Sequence, residues 1–599
     1  MAAGAVEMAS APPLSDTDLV TAVVKIAGET IDDAIEIQRI ETIKHVGRIP
    51  YAILTLRDGS VAEENFKLSE STNFVPGAEI EILVGYHGDD STVFKGVIVK
   101  QAAQVSRARE CRLVVTCCDK AFAMTLGRKH AQFSGETETA ALQGLIEAHD
   151  LTADVAVSGG EREQLVQYFA SDWDYLLCRA DANGALALVD DATVSVRPPA
   201  FDPPVVQFGF GASLIEIDVE MDARTQYKGA NARTWDAATQ ALSSQTGAEP
   251  SWSGPGNLSG ETLAKVFGSA NELQSAGLPI GDPLKAWADA ELLRSRLSRI
   301  RGRGSFAGYA ALKPGQQIDL EGLGARFDGT AFVSGVRQLV EGGTWKTELT
   351  FGLPNARHFV ASTPVDSLAA GGLAPATRGL QIGKVKQIQD DPASERRVKV
   401  SMPLLAEEGI WMRLASGYAT AGAGFCFLPE VEDEVVVGFL NGDPAAPVVL
   451  GSLHSSARKA PYEPEATNAT KAIVSNKQLK LIFDDAKKFI RAETPGGHSL
   501  VLSDEDTSIT VKDTTGNQLL MNKSGVTLSS PGDITISASG SLKMTGTGGV
   551  TASSPANVDV SGQNTSVKAN MTLSAQGQMM AELKSSAEVV IQGALVMIN

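Results

Sequence analysis

The clearest pattern of apolar and polar positions lies in the last quarter of the chain, between Gly525 and Asn564. Two apolar residues separated by one other residue recur there every eight residues, through five units. The pairs are Val526 and Leu528, Ile534 and Ile536, Leu542 and Met544, Val550 and Ala552, and Val558 and Val560. The residues that close the units are Gly532, Gly540, Gly548, Ala556 and Asn564. Because side chains two apart lie on the same face of a strand, each unit predicts a short strand followed by a turn.

Such a unit cannot bury its apolar pair alone, so repeats must stack to form a shared core. A single-chain β-helix needs roughly 18 or more residues per coil, built from faces of six or nine residues. A period of eight favours instead a prism in which three chains each supply one wall. The core of such a prism is thin, and no Phe, Tyr or Trp occurs after Phe489. The alternative is a flexible tail rich in Ser, Thr and Gly, but such tails do not keep apolar pairs in phase.

The first part of the chain alternates in the manner of β-strands and predicts an antiparallel barrel. Its strands are predicted at Val20–Ile26, Ile35–Ile43, Pro50–Arg57, Ala78–Gly85, Thr92–Val99 and Arg112–Thr116. Helical spacing follows over Ala140–His149 and Glu163–Ala180. The stripe of the second helix is Leu165, Tyr168, Phe169, Trp173, Leu176 and Leu177.

A second barrel is predicted downstream and is expected to close near Leu353. Ile215, Ile217, Val219 and Met221 alternate with acidic residues, which indicates a half-buried strand. A helix is predicted over Ala286–Ile300. Further strands are predicted at Gln317–Leu320, Thr330–Val340 and Thr344–Phe351.

Five short strands between Gly379 and His454 predict a small barrel of the OB type. They are Leu380–Gln387, Arg397–Met402, Ile410–Leu414, Val435–Leu440 and Val448–Leu450, with a turn at Asn441-Gly442-Asp443-Pro444. The predicted organisation is a loose arm (1–16), two barrels with helical insertions (17–367), a linker (368–378), the small barrel (379–454), a linker (455–475) and the repeat region (476–599). The fold class is therefore mainly β.

Composition and charge limit the classes of function that the chain is expected to have. The chain has 599 residues and a net charge of −19, which argues against nucleic-acid binding as its main task. Residues Met1 to Pro13 lack the pattern of a Sec signal peptide, and no run approaches the ~20 apolar residues of a membrane helix. We therefore expect a protein made in the cytoplasm. Five cysteines without C-x-x-C spacing favour free thiols in a reducing compartment: Cys111, Cys117, Cys118, Cys178 and Cys426.

The small-barrel segment contains a run of motifs that points to a family. They are Arg397 to Pro403, Trp411 to Leu414, Gly424 to Glu430, Asp433 to Pro444 and Pro447 to Leu453. This run resembles the valine-glycine-repeat (VgrG-type) spike proteins of type VI secretion and phage-tail-like contractile injection systems. The residues that carry the resemblance most clearly are Arg397, Pro403, Trp411, Phe427, Pro429, Glu430, Gly438, Asn441, Gly442, Asp443, Pro444 and Gly451. Upstream, Gln167 to Leu177 and Gly335 to Gly352 are similar to the hub domain of that family.

The resemblance implies a homotrimer with a hub on an inner tube, a collar of OB barrels and a needle formed by an intertwined triple-stranded β-helix. It implies baseplate partners, a conical PAAR-like tip protein, cargo effectors, transient contact with a target envelope, and release as part of the particle. Leu595, Val596, Met597 and Ile598 would meet the tip protein, or would merely close the trimer core; both interpretations remain open. The lysozyme-like or effector domains of some relatives are expected to be absent.

No pattern predicts catalysis, a metal or a cofactor. The seven histidines lack metal-ligand spacing, although His498 from three chains could meet on an axis; a solvent-facing ring is the simpler interpretation. Acidic clusters at 430–434 and 504–506 are typical of solvated turns rather than of a glycosidase pair. The basic run Arg294 to Arg303 suits a helix C-terminus or acidic neighbours better than nucleic acid. Cys117 and Cys118 are expected to be buried in a strand.

We therefore expect a mechanical part that punctures an envelope and delivers a tip or an effector. An adhesive or envelope-degrading tail fibre is a second hypothesis, but it needs paired acids or aromatic sugar platforms in the rod. A carrier that chiefly holds an effector on its needle is a third.

Replacing Ile534 or Val558 by Asp would place three like charges on the predicted axis, and we expect loss of trimers because the charges cannot be solvated there. Mass photometry of the purified full chain measures this directly. A variant that stays trimeric would contradict the shared core.

Overall fold

The computed structural model describes residues 9–10, 17–107, 110–157, 160–162, 164–275, 281–362, 365–403 and 406–598. Most of the predicted loose arm, and the final residue Asn599, lie outside the described residues. Within the arm, Ala9–Ser10 forms a short parallel ladder with Val206–Gln207, so this part is not loose. The chain divides into two compact units, Met1–Leu453 and His454–Asn599.

The first unit is mainly strand, in agreement with the predicted fold class. The early strands are β1 (Ala9–Ser10), β2 (Val20–Ile26), β3 (Glu29–Thr30), β4 (Ile37–His45), β5 (Tyr51–Arg57), β6 (Glu79–Tyr86), β7 (Asp89–Val105) and β8 (Cys111–Cys118). The next elements are β9 (Lys129–Phe133), β10 (Glu136–Thr137), α1 (Glu138–Glu147), β11 (Thr152–Val155), β12 (Glu161–Arg162), β13 (Leu165–Ala170), α2 (Asp172–Ala182), β14 (Leu186–Asp190) and β15 (Thr193–Arg197).

The elements that follow complete the hub region. They are β16 (Val206–Gly209), β17 (Leu214–Met221), β18 (Ala230–Asp236), β19 (Ala241–Thr246), α3 (Gly260–Ala264), β20 (Asn271–Ser275), α4 (Asp282–Leu297), β21 (Ile300–Ala307), β22 (Gln317–Glu321), β23 (Gly329–Glu341), β24 (Thr344–Phe351) and α5 (His358–Ala361).

The two predicted hub barrels correspond to two parts of one fourteen-stranded sheet. Strand β23 joins them because it is thirteen residues long: its first residues pair with β22 and its later residues with both β4 and β24. Each part has its own core. The first core includes Leu54, Ile82, Phe94 and Leu113, and the second includes Phe208, Phe306, Ile318, Val333 and Leu349.

The helical insertions pack beside this sheet. Helices α1 and α2 cover the small sheet β11–β15–β14 through a core that includes Leu142, Ile146, Leu176 and Val194. Helix α4 covers β18 and β20 through Ala232, Leu273 and Leu284.

The helix predicted over Glu163–Ala180 is wrong in its first half, and Glu163 itself lies outside the described residues. Leu165–Ala170 is strand β13, paired with β9, and a bulge leaves Tyr168 and Phe169 exposed. The helix begins at Asp172 because the Ser171 side chain accepts a hydrogen bond from the Asp174 amide at 3.1 Å.

Two other boundaries differ from the prediction. A bulge between Leu214 and Glu216 in β17 leaves Ile215 exposed, while Ile217, Val219 and Met221 keep the predicted half-buried face. Helix α4 ends at Leu297, and Ile300 begins β21 instead of ending the helix.

Each of the five arginines of the basic run between Arg294 and Arg303 has a hydrogen-bond or ion-pair partner within the chain. Arg296 donates to Glu249 at 2.8 Å, and Arg299 donates to the Pro255 carbonyl at 2.8 Å. Arg294, Arg301 and Arg303 pair with Asp181, Glu220 and Asp218. Four of the five arginines thus have acidic neighbours within the chain, and Arg294 and Arg296 lie in the last turn of α4, so each of the two interpretations holds for part of the run.

All five cysteines are free thiols, and Cys117 and Cys118 are buried in β8 as expected. Burial raises the pKa of the Cys117 thiol to about 12, so this side chain is not a thiolate near neutral pH.

The OB-type barrel forms as predicted and is closed in the order β25–β26–β27–β31–β30. Its strands are β25 (Gln381–Gln387), β26 (Val398–Met402), β27 (Ala406–Leu414), β30 (Glu434–Phe439) and β31 (Pro447–Ser452). The short strands β28 (Ala419–Thr420) and β29 (Ala423–Gly424) form a separate two-stranded sheet. Valines such as Val400, Val435 and Val437 fill its core.

The second unit begins with a seven-stranded antiparallel meander in which each strand pairs with the next. Its strands are β32 (Thr470–Val474), β33 (Lys480–Asp484), β34 (Phe489–Glu493), β35 (Ser499–Ser503), β36 (Ser508–Lys512), β37 (Gln518–Asn522) and β38 (Gly525–Ser529). Strand β32 lies inside the segment 455–475 that we predicted as a linker. Residues 530–598 carry bends but no assigned strand.

Replacing Ile82 by Ala should destabilise the first hub core by roughly 2–5 kcal/mol, because this side chain is fully buried and leaves a cavity. Hydrogen exchange of peptides from β6 and β7 in the full chain, at rising urea concentrations, measures the change. The matched control is Val61→Ala, since Val61 is exposed and its truncation should be nearly neutral. Equal exchange in the two variants would contradict the assigned core.

Candidate functional site

The apolar side chains of the second unit are the main candidate interaction site, because most of them are exposed to solvent in the single chain. All nine side chains predicted to form the needle core are exposed, from 48% for Ile534 to 75% for Val560. The nine are Val526, Leu528, Ile534, Ile536, Leu542, Met544, Val550, Val558 and Val560. Their burial against other copies stays a prediction. Contiguous apolar surface of this extent marks an interaction site in a folded protein.

The meander shows that this apolar surface begins well before the predicted repeat. Residues opposite each other in neighbouring strands share a face, and the register joins them into rows. The first row is Phe483, Ile490, Leu502, Ile509, Met521 and Val526. The second row is Ile473, Leu481, Ala492, Leu500, Val511, Leu519 and Leu528.

The two rows run side by side, two residues apart along every strand, so one face of the meander is an apolar stripe. The opposite face carries most of the polar residues, including Lys480, Arg491, Ser503, Thr510 and Thr527. It also carries Ile482, Val501 and Leu520, of which Ile482 is buried. The side chains of the first row are 38–69% exposed. Sequence analysis found only the last member of each row, because turn lengths vary between these strands and hide the period.

The eight-residue repeat is visible in the backbone beyond the five units found in the sequence. Bends occur at 531–532, 539–540, 547–548, 555–556, 563–564, 570–571, 578–579, 586–587 and 594–595. Every step between bends is eight residues except the step from 563–564 to 570–571, which is seven. This shortened unit interrupts the sequence pattern. The apolar residues beyond it are also exposed: Val567, Met571, Leu573, Met579, Met580, Leu583, Val589, Val590 and Ile591.

The predicted tip-binding residues lie at the last bend. Leu595, Met597 and Ile598 are at least 80% exposed, and Val596 is 47% exposed. The structure thus leaves apolar surface at this end of the described chain, and its occupant stays a prediction.

The residues that carry the family resemblance in the OB barrel have structural roles. Arg397 donates to Asp391 Oδ1 from Nε at 3.0 Å and from an Nη at 2.6 Å, and this guanidinium holds the Asp391 pKa well below its usual range. Asp391 also accepts the Glu395 amide at 2.8 Å, so the pair fixes the loop before β26. Pro403 follows β26, and Trp411 is half-buried on β27.

The rest of the signature forms turns and surface. Asn441 and Gly442 adopt left-handed φ values of 51° and 69° in the turn between β30 and β31, which glycine and asparagine tolerate best. Asp443 accepts the Ala445 amide at 2.8 Å in the same turn, and Pro444 follows it. Pro429 is buried, Phe427 and Glu430 are exposed, and Gly438 and Gly451 lie on β30 and β31.

The acidic clusters and His498 do not form a metal-binding group in the part of the chain that the structure describes. Among the described residues, no group of three or more His, Cys, Asp or Glu side chains could hold a metal ion. His498 is exposed, and Asp433 accepts the Glu430 amide at 3.0 Å within the first acidic cluster. No helix in the described part of the chain is long and apolar enough to cross a membrane.

Family models match two parts of the chain. Residues 16–342 match the family described as the Alg8 N-terminal domain, and residues 381–454 match the type VI secretion system/phage-baseplate injector OB domain. The first match covers more than half of the chain.

Curated relatives match over short stretches. The type VI secretion system spike protein VgrG4b of Pseudomonas aeruginosa is 44% identical over 63 residues, which is 10% of this chain and 8% of the relative. The actin cross-linking toxin VgrG1 of Vibrio cholerae is 36% identical over 56 residues, 9% of this chain and 5% of the relative. The chain thus spans less than a tenth of the length of these relatives.

Solved structures with a likeness to the chain include a tail protein from Neisseria meningitidis, at 14% identity and a TM-score of 0.41, covering 57% of this chain and 99% of that one. Another is the E. coli c3393 protein, described as a type VI secretion component similar to T4 tail proteins, at 14% identity and a TM-score of 0.34, covering 72% of this chain and 99% of that one. The chain belongs to the Alg8 N-terminal domain family, whose model matches residues 16–342, and its injector OB domain at residues 381–454 supports the resemblance to spike proteins of the VgrG type.

Proposed function

We propose that this protein is the central hub and spike of a contractile injection system, and that its second unit is a trimeric needle. The carrying observation is the apolar stripe of the meander, which continues into the eight-residue repeat. A stripe two residues wide is too narrow to form a core by folding on itself. It is well suited to meet equivalent stripes of other copies around one axis.

The choice of three copies follows from the width of the stripe. Two flat stripes facing each other leave their edges in water, whereas three walls enclose a narrow prism. Burial contributes on the order of 25 cal/mol for each Å² of apolar surface removed from water, and every strand adds a further increment. The stability of such a rod therefore grows with its length.

The proposed role is mechanical. In a rod with three shared walls the apolar side chains bind the copies together along the whole length, so the rod resists bending. Sheath contraction would drive it through a target envelope, ahead of an inner tube held by the hub. Leu595 to Ile598 would receive a conical tip protein, with or without an effector.

We propose no enzymatic activity for the chain. The two relatives of this kind that are compared above are described as a spike protein and as a toxin of the VgrG type, and the toxin's activity is a property of that protein. An adhesive or degradative fibre is less well supported because the second unit has only two aromatic side chains after its first strand, Phe483 and Phe489. A role as effector carrier is compatible with the spike and differs only in what the end of the needle holds.

The orientation of side chains in β36 gives a sharp test, because Ile509 and Thr510 are neighbours on opposite faces. Ile509→Asp should abolish trimers, since three carboxylates would enter the shared core. Thr510→Asp should leave them intact, since this residue lies on the polar face. Mass photometry of the full chain should give three times 62.9 kDa for the wild type and for Thr510→Asp only.

In the single chain Ile509 is already exposed, so a monomeric protein would tolerate both changes equally. A wild type with the mass of one chain, or equal behaviour of the two variants, would overturn the proposed needle.

A further inference from the structure

The OB barrel leaves an unusual amount of apolar surface uncovered. Among the described residues, ten large apolar side chains are exposed between Leu380 and Leu453 and nineteen between residues 17 and 362, a stretch more than four times as long. Most of the ten belong to two separate groups on the barrel. Such surface on so small a domain indicates a contact that the single chain does not supply.

The first group, which we call the aliphatic face, is made of Leu380, Ile382, Gly438 and Leu450. Strand β25 pairs with β30 and β30 with β31, so these residues lie on three adjacent strands. Val435, Val437 and Val449 alternate with them and fill the core, so the aliphatic face points outward. A Cβ at Gly438 would lie 3.3 Å from a Leu450 methyl and 3.6 Å from a Leu380 methyl. The two leucines therefore flank the glycine and form a continuous, shallow surface.

The second group, which we call the aromatic hairpin, is made of Tyr418, Phe425, Phe427 and Leu428. The short strands β28 and β29 form the hairpin, and the Phe425 amide donates to the Tyr418 carbonyl at 3.0 Å. The Tyr418 and Phe425 rings pack edge to face with centroids 6.4 Å apart. All four side chains are 47–66% exposed. The hairpin thus presents an exposed, largely aromatic surface.

The charges beside the two groups are complementary. Arg413 on β27 lies opposite Val448 of β31, at the rim of the aliphatic face. Glu430 follows the aromatic hairpin in the chain. Both side chains are exposed, and among the ion pairs of the described residues neither takes part in one.

Threefold symmetry requires a contact of this kind. In a ring of three copies each interface joins two different patches, one from each neighbour, so every chain must carry both. We propose that the aromatic hairpin of one OB barrel packs on the aliphatic face of the next copy, with Glu430 beside Arg413 of that copy. The proposal rests on the proposed trimer and specifies which surfaces of the barrel it joins.

Cys426 lies between Phe425 and Phe427 of the aromatic hairpin and is exposed in the single chain. The rate at which a maleimide modifies this thiol therefore measures whether the contact forms. In the trimeric wild type, a maleimide should modify Cys426 at least tenfold more slowly than in the Ile509→Asp variant, where the copies separate. The control is Leu242→Cys, an exposed position on the hub strand β19, which should react equally fast in both backgrounds. Peptide mass spectrometry identifies the modified thiol.

A second measurement identifies the opposing surface. In the Leu450→Cys variant, mild oxidation or a short bismaleimide should join the introduced thiol to Cys426 of a neighbouring copy, giving linked dimers and trimers on denaturing gels. Cys426→Ser in the same chain should abolish the product, and Leu242→Cys should not form it. Arg413→Glu should lower the yield, and adding Glu430→Arg should restore it.

The outcomes separate the two proposals. A monomeric wild type would overturn the trimer and the contact together. A trimeric wild type in which Cys426 reacts as fast as in Ile509→Asp, or in which Leu450→Cys gives no link to Cys426, would overturn the contact and leave the trimer standing.

Discussion

The second unit depends on one physical constraint: apart from Ile482, its large apolar side chains are not buried in the single chain. A globular domain buries such residues by packing one layer on another, but the meander is a single layer with exposed side chains along one face. Strands β32–β38 pair only with their neighbours in sequence, so β32 and β38 are the edges of an open sheet, and residues 530–598 carry no assigned strand. In the described chain the meander therefore lacks an opposite wall, and the repeat lacks a strand ladder. The proposed trimer would supply both.

The first unit obeys the ordinary rule. Its sheets and helices enclose several cores, Cys117 and Cys118 are buried, and its basic run has partners within the fold. The OB barrel stands between the two cases, since it has a filled core and still leaves two apolar surfaces bare. The first unit buries its apolar side chains by itself, whereas the second unit leaves most of them exposed. This difference suits a chain that folds before it assembles into the proposed trimer.

Much of this architecture could be predicted from the sequence, and the failures have physical causes. The five OB strands were correct because each is short, most contain valines, and strong turn residues such as Asn441 and Gly442 separate them. The first half of the helix over 163–180 was wrong because apolar residues at 165, 168 and 169 fit a helical period, and the cap at Ser171 was overlooked. Ile215 was misplaced because a bulge changes the face without changing the alternation.

The candidate site was predicted only in part for a similar reason. The repeat can be recognised in the sequence where every turn has the same length. The rows of the meander cannot be recognised there because their turn lengths differ. Pairing across strands, which links Leu502 to Ile509 and Ile509 to Met521, is a property of the fold and cannot be counted along the sequence. The faces of the OB barrel were invisible as well, because Leu380 and Gly438 become neighbours only when β25 pairs with β30.

The single seven-residue unit between the bends at 563–564 and 570–571 has a consequence for alignment. In the proposed trimer, a rod of identical units could also pair with its copies shifted by one unit, at the loss of only one unit of contact. One shortened unit would oppose that offset, because a step of seven would lie beside a step of eight and would bring side chains of the wrong face inward. The irregular unit would therefore align parallel copies at the same residues.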